Sequence, residues 1–335
     1  MRFASYNVEW FDALFSDDGS LLEDGTWSSR YKITRADQVR ALGRVFIELD
    51  ANAVMIIEAP DTKKSRDTVR ALENFAARFE LRCRKAIKGF DNDTQQQIAL
   101  LYDPDQMDVH HDPVASEAAP RFDGKFRIDL DIDARADVIG FSKPPLEVAV
   151  TTAKGAMRMI GVHVKSKAPH GARSPEEVMR LAIANRRKQL AQAIWLRARV
   201  DDHLAAGDPL IVMGDFNDGP GLDEYEKLFG RSSLEVVLGC DLPRAQQLFD
   251  PHAARALQSL TAATQTSARF YIPEEKRYLS ALLDYIMVSP DLRAKRGQWR
   301  IWHPFEDAAC YAGIDLRTAL LVASDHFPVV VDLDL

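Results

Sequence analysis

The residues able to do chemistry in this chain stand at the ends of apolar runs. Leu210-Ile211-Val212-Met213-Gly214-Asp215-Phe216-Asn217-Asp218 opens with four apolar residues that read as a buried strand, and Gly214 lets the backbone turn sharply where the strand gives out. Asp215 and Asn217, two positions apart in extended chain, project to the same side at the start of a loop. A carboxylate there can hold a water or a metal ion while an amide donates N–H to an oxyanion. Gly-Asp-x-Asn is also good turn chemistry, so these nine residues alone leave a capped turn equally open. What tips the balance is the recurrence of acids, amides and histidines in similar settings along the chain.

Asn7 and Glu9 close a short strand over residues 2–9, in which Phe3, Ser5 and Asn7 share one face and Ala4, Tyr6 and Val8 the other. Ala53-Val54-Met55-Ile56-Ile57 reads as a core strand ending on Glu58. A glutamate there is costly to bury without a partner, so it either caps neighbouring backbone or ligates a cation. Asp215, a second acid of the same kind, weighs toward the cation, because carboxylates delivered from separate strand ends hold hard ions such as Mg²⁺. The strand Met157–Lys165 carries His163 near its end. A lone histidine there is usually a packed core residue, but Lys165 lies on the same face, and two such groups side by side imply an anion between them. Leu282–Ser289 is a strand with Asp284 planted in its apolar run, where an aspartate needs a buried partner and a histidine is a common one. Ser324-Asp325-His326 precedes the last strand, Phe327–Val331.

The elements that must position these groups are legible to different degrees. Thr34 reads as the N-cap of a helix with Ala36, Val39, Leu42, Val45, Phe46 and Leu49 at helical spacing, and Asp67–Phe79 reads as a second. Gln97–Tyr102 is a strand stopped by Asp103-Pro104, and residues 105–150 alternate short apolar runs with Asp and Pro as hairpins and loops do. Ser174-Pro175-Glu176-Glu177 starts a helix whose stripe of Ile183, Leu190, Ala191, Ile194, Trp195 and Ala198 puts Arg187 inward, with Arg186 and Lys188 on flanking faces. Leu222–Phe229 reads as a helix, residues 12–29 as a solvated acidic loop, and residues 239–280 as irregular. No internal repeat, low-complexity segment or linker breaks the chain, so residues 1–335 read as one domain.

A chain of 335 residues with 46% hydrophobic and 28% charged residues is ordinary globular composition. The net charge of −7 is not that of a protein that grips nucleic acid over its whole surface. Residues 165–199, however, hold nine Lys and Arg against Glu176 and Glu177, a local +7 that leaves −14 for the remainder. Apart from Arg187, these side chains are expected to form a solvated face. Cys83, Cys240 and Cys310, without CxxC spacing, read as buried free thiols rather than a zinc site. The N-terminus places Glu9 before any signal-peptide run can form, and no stretch is long enough to span a bilayer, so a cytoplasmic protein without membrane contact is expected.

Taken in order, Asn-Val-Glu at 7–9, Glu58 after its strand, His163, Gly-Asp-Phe-Asn at 214–217, Leu-Asp-Tyr-Ile at 283–286 and Ser-Asp-His at 324–326 span nearly the whole chain. Together they resemble the motif set of the endonuclease/exonuclease/phosphatase superfamily, the DNase I-like fold, and the run His-Val-Lys-Ser-Lys is similar to that of its bacterial nuclease-like members. The resemblance implies an α/β (α+β) four-layer sandwich of two mixed β-sheets packed face to face and flanked by helices. It also implies a divalent-metal-dependent phosphodiesterase, here a nuclease hydrolysing DNA or RNA by direct attack of an activated water with Mg²⁺ or Mn²⁺. Carried over by position, Glu58 is the principal metal ligand, with Glu9 and Asp325 as further ligands and Asn7 beside them. Asp215 then orients or deprotonates the water, Asn217 and His163 donate to phosphoryl oxygens, and Asp284 with His326 resembles an acid/base dyad. Lys165 and Arg187 are the candidates to grip substrate phosphate.

One region departs from the pattern. DNase I-like nucleases with a histidine at the position of His163 tend to orient it with a glutamate on an earlier strand, and here Gln95-Gln96-Gln97 stands in that region. An amide orients an imidazole without stabilising imidazolium, so His163 is expected as a neutral donor. A small-molecule or lipid phosphoesterase of the same fold, of inositol-phosphate phosphatase or sphingomyelinase type, is the alternative. It fits the acidic surroundings and the absence of an obvious aromatic-plus-basic loop for a strand.

Overall fold

The apolar runs become strands of two sheets, and the capped amphipathic segments become helices laid on their outer faces. The computed structural model describes residues 1–63, 65–130, 137–169, 171–219, 230–258, 264–272 and 276–335. In chain order it opens with β1 (Arg2–Asn7), α1 (Arg35–Leu49), β2 (Ala53–Pro60), α2 (Thr68–Arg78), β3 (Lys85–Lys88) and β4 (Gln96–Tyr102). Next come β5 (Met107–His111), β6 (Phe126–Ile128), β7 (Asp137–Ile139), β8 (Leu146–Thr152), β9 (Gly155–His163), α3 (Pro175–Ala206) and β10 (Leu210–Asp215). The last part holds α4 (Ser233–Leu238), α5 (Pro251–Gln258), β11 (Ala268–Ile272), β12 (Arg277–Ala281) and β13 (Asp284–Val288). It ends with α6 (Pro290–Arg293), β14 (Gln298–Ile301), α7 (Ala308–Ala312), α8 (Ile314–Ala323) and β15 (Val329–Asp332). The helix expected at Leu222–Phe229 lies outside the described residues.

One sheet has the order β14-β15-β1-β2-β4-β3 and the other β13-β10-β9-β8-β5. Each is built around one parallel pair, β1 with β2 and β9 with β10, and their remaining pairings are antiparallel. The two parallel pairs pack against each other across the core. Parallel strands end at the same rim, so Asn7, Glu58, His163 and Asp215 arrive together. The antiparallel neighbours start at that rim, which brings in Gln96 at the head of β4, Asp284 at the head of β13 and His326 ahead of β15.

With α1, α2 and α8 over the first sheet and α3 and α4 over the second, the chain forms four layers. Both faces of β1 are consequently buried, although the expectation was only of two alternating faces. The expected caps form, Thr34 Oγ1 accepting from Asp37 N at 3.1 Å and Ser174 Oγ from Glu177 N at 3.2 Å, and Asp67, expected inside α2, caps it by accepting from Arg70 N at 2.8 Å.

Two glycines are there for space. A Cβ on Gly161 would lie 2.3 Å from Met55 Sδ, across the junction of the sheets, so its absence lets β9 and β2 approach. Gly214 was expected to turn the chain at the strand end, yet it lies within β10, with φ of +141° and a would-be Cβ 2.0 Å from Val162 O. It lets β10 press against β9, and the turn itself falls to Asn217, at φ +49°.

Three further expectations change. Asp284 opens β13 instead of interrupting it, because Leu282 and Leu283 belong to the preceding loop. Residues 239–280 contain α5 and the hairpin β11–β12, which alternation did not reveal because the β11–β12 strands are only partly buried. Of the cysteines, Cys83 and Cys310 are buried and Cys240 is exposed.

Candidate active site

At the common rim the backbone takes left-handed conformations that ordinary residues avoid, with Glu9, Trp10, Glu58 and Asn217 all at positive φ. Strain collected at one place directs attention to what it positions. Glu58 sits on a β-bulge, where the register of β2 against β4 shifts between Ile57 and Ala59, and the bulge re-aims its carboxylate into a cavity of about 410 Å³. That cavity is lined by Asn7, Glu58, His163, Lys165, Asp215, Asn217 and His326, and also by Lys143, Gln96 and Trp10.

Asp215 is the hub. Its Oδ2 accepts from the side-chain amides of Asn7 and Asn217, each at 3.1 Å, and its Oδ1 accepts from the backbone N–H of Asn217 at 2.8 Å. His163 Nε2 lies 3.6 Å from the same carboxylate. Opposite, His326 Nδ1 is 2.7 Å from Asp284 Oδ2, which also accepts from Ser267 Oγ at 2.8 Å. Ser267 Oγ in turn accepts the backbone N–H groups of Leu283 and Asp284 at 2.9 Å. Asp215, Asp284 and His326 form the group whose ligating atoms lie within 4.8 Å of one another among the described residues. Asp284 Oδ2 is taken up by His326 and Ser267, whereas its Oδ1 is buried with no hydrogen-bond partner among the described residues.

Burial and charge set the protonation states. Burial, then the charge of Asp284, pushes the Asp215 carboxyl up to about 7, against the pull of His326 and the Asn217 N–H. Burial disfavours charge on His326, but Asp284, by charge and hydrogen bond, followed by Asp215 and Asp325, outweighs it and holds the imidazole well above its usual range. His163 goes the other way, driven well below its usual range by burial and then by Lys143, His326 and Lys165, so it is neutral. Its Nδ1 is 3.3 Å from Lys143 Nζ, and an ammonium only donates; Nδ1 is therefore the acceptor and Nε2 carries the proton. Burial raises Glu58, whose Oε2 accepts from Trp10 N at 3.0 Å and from Gln96 Nε2 at 2.5 Å.

The structure brings Asn7, Glu58, His163, Lys165, Asp215, Asn217, Asp284 and His326 to one place and sets the others apart. Glu9 is paired with Arg30, and its Oε2 accepts the Asp325 N–H at 2.9 Å, so it holds the Asp325 loop instead of facing the cavity. Asp325 stays beside the site, its Oδ1 4.0 Å from His326 Nε2. Arg187 does not reach the cavity: its Nε binds Asp137 Oδ2 at 2.7 Å. The inward arginine is Arg186, fully buried and 3.0 Å from Asp218 Oδ1, because α3 is turned by one residue relative to the expected stripe. Nor are the remaining basic residues of this segment all solvated. Arg197 reaches the Val237 and Gln246 carbonyls, and Arg199 is buried against Glu147.

Several positioning groups were missed because their partners are remote in sequence. Gln189 Nε2 donates to Lys165 O at 3.0 Å and Asn217 O at 2.9 Å, tying the loops after β9 and β10 together. Of the three glutamines, Gln96 binds Glu58 and Gln97 accepts from Asn92, while His163 takes Lys143 as its neighbour. An aromatic-plus-basic feature, expected to be absent, is present on the hairpin β11–β12. Arg269 Cζ sits 3.9 Å over the Tyr278 ring, Tyr271 is 5.3 Å from Tyr278, and Arg269 N binds Asp325 O at 2.7 Å.

Two mixed sheets face to face between helices, with an Asp-Asn-His cluster at the shared strand ends, define the DNase I-like class. The chain belongs to the endonuclease/exonuclease/phosphatase family, whose model matches residues 4–326. Among solved structures, a 3'-5' exonuclease (NExo) from Neisseria meningitidis is similar, with a TM-score of 0.51 at 15% identity over 100% of both chains. Truncated TDP2 of Caenorhabditis elegans is similar with a TM-score of 0.50 at 12% identity, over 98% of this chain and 96% of that one. TDP2 of D. rerio, solved with a single-strand DNA product, gives a TM-score of 0.50 at 11% identity, over 99% and 97%. At such identities the likeness is one of fold. Comparison with curated proteins returns no match.

Proposed function

We propose that this chain is a divalent-metal-dependent nuclease that hydrolyses phosphodiester bonds of DNA or RNA by direct attack of an activated water. The observation that carries the reading is Asp215, a buried carboxylate held by two amides beside a His–Asp pair. A carboxylate pushed up to about 7 is matched to taking a proton from water near neutral pH. His326, held as imidazolium by Asp284, offers its Nε2 proton to the phosphoryl group. Neutral His163, with its proton on Nε2, and Asn217 are donors for the remaining oxygens. Asn7 holds Asp215, and Lys165 and Lys143 add positive charge to the same cavity.

The oxygen donors fit a hard cation. Glu58 is a half-buried carboxylate bonded to two neutral donors, with no ion pair among the described residues, and Asp325 is close enough to push its carboxyl further up. Mg²⁺ or Mn²⁺ would be held by Glu58 and Asp325, supplying neutralisation of charge on a phosphoryl oxygen. The single-strand DNA product in the D. rerio TDP2 structure is in keeping with a polynucleotide substrate.

The test is a panel of plasmid, single-stranded oligonucleotide, RNA and inositol phosphate, each with Mg²⁺, Mn²⁺ or chelator. Polynucleotide hydrolysis that chelator abolishes is expected, with folded Asp215→Asn slower by about 10²–10⁴-fold. Turnover of inositol phosphate without any of polynucleotide, or full activity in chelator, overturns the proposal.

A further inference from the structure

Beside the active cavity lies a second one of about 510 Å³, between the β7 segment and α3. Ser142 lines both, so the two adjoin at that residue. Lys125, Asp137, Arg187 and Lys188 line the second, and its one acid among the lining residues is taken up by Arg187 at 2.7 Å. Lys143, Lys165, Lys188 and Lys125 make no ion pair with any described carboxylate. Lys143 and Lys165 line the active cavity, and Lys188 and Lys125 line the second one beside it.

A row of cations is ordinarily just a solvated face. This one differs because Lys143, Lys165 and Lys188 are partly withdrawn from water, and burial is the main reason each is lowered from its usual range. Repulsion combined with desolvation disfavours the empty protein and is relieved by an anion with regularly spaced charges. The walls are fixed in place. Phe126 stacks on Trp195 of α3 at 5.3 Å and Phe141 packs on it at 5.2 Å. Gln192 ties the two sides by accepting from Lys165 N at 2.9 Å and donating to Gly140 O at 3.2 Å.

We propose that Lys143, Lys165, Lys188 and Lys125 form a cationic track that holds successive backbone phosphates of the polynucleotide strand continuing from the scissile bond. The track rests on the nuclease reading and deepens it, by giving the substrate a length: the site takes a chain of nucleotides, gripped on one side of the cleaved phosphate. Of the basic segment 165–199 the track takes Lys165 and Lys188, while Arg186, Arg197 and Arg199 are buried and Lys143 and Lys125 come from elsewhere.

The experiment follows kcat/KM against salt for a single-stranded oligonucleotide and for bis(p-nitrophenyl) phosphate, in the wild type and in the double variant Lys125→Gln/Lys188→Gln. Loss of two phosphate contacts is expected to flatten the oligonucleotide slope of log(kcat/KM) against log salt by about 1.4. At low salt the oligonucleotide-to-diester ratio is expected to fall about tenfold, and Lys125→Arg/Lys188→Arg to restore both, as charge alone serves a phosphate. An unchanged slope and ratio in a double variant with wild-type thermal unfolding overturns the track while leaving the nuclease reading in place. A wild type that turns over the diester or inositol phosphate but no polynucleotide overturns both.

Discussion

At the scale of single residues, the site depends on pairs that hold each other in a chosen protonation state. Asp284 serves His326, and Ser267 serves Asp284 while also satisfying two backbone N–H groups. Ser267→Ala is therefore expected to cost about 1–3 kcal/mol, measured by urea unfolding, because it leaves buried donors without an acceptor. It should lower kcat and leave KM nearly unchanged, since Ser267 acts through the dyad. Asp215, Asn217, Asp284 and His326 were legible in the sequence because each sits beside an apolar run that fixes where it must end. Lys143, Ser267 and Gln189 were not, since their roles exist only through partners brought from other strands or loops. Arg187, expected on the inward side, instead lines the second cavity and pairs with Asp137, because the expectation came from reading the phase of a helix whose apolar stripe is irregular. A shift of one residue exchanges Arg187 for Arg186 on the inner face.

At the scale of elements, the site exists because two parallel pairs end at one rim, and close approach of backbone makes that possible. Gly214→Ala puts a Cβ on the Val162 carbonyl and forces a side chain into φ +141°, and neither clash has a flexible atom to yield. It is expected to cost more than the about 1–3 kcal/mol of ordinary overpacking and to abolish activity by displacing Asp215. Gly161→Ala meets the sulfur of Met55, which can move, so its cost should fall within that range and be recovered by shortening Met55. Chemical unfolding of the two variants, with and without Met55→Ala, separates them. The central strands and capped helices could be read from the sequence because burial and capping leave strong local patterns. The hairpin β11–β12 could not, because its half-exposed strands carry aromatic and basic residues without clean alternation.

At the scale of the molecule, overall charge is a poor guide to where a polyanion docks. The net −7 and the local +7 both mislead, because arginines in α3 are consumed in holding the sandwich together, as Arg186 is on Asp218 and Arg199 on Glu147. Stability against acid also has an address away from the active site. Burial, then Arg255, lowers His252 to about 4, and its Nε2 has no hydrogen-bond partner among the described residues. A histidine lowered on folding keeps its contribution above the unfolded value of 6.5 and loses it as pH falls toward 4. Between pH 7 and 5 this amounts to about 2 kcal/mol, so His252→Asn should show a correspondingly smaller loss of unfolding free energy over that interval. Asp250, raised to about 6 by burial, works in the opposite direction in both proteins and cancels in the comparison.

The most direct test of the central claim is a double-mutant cycle on the chemical step, with oligonucleotide cleavage under single turnover by wild type, Asp215→Asn, His326→Gln and the pair. If the two side chains work on one phosphate in one cavity, each single change removes most of the rate and the pair is little worse than either. Folded variants that keep the wild-type rate, or losses that simply multiply, would contradict the account.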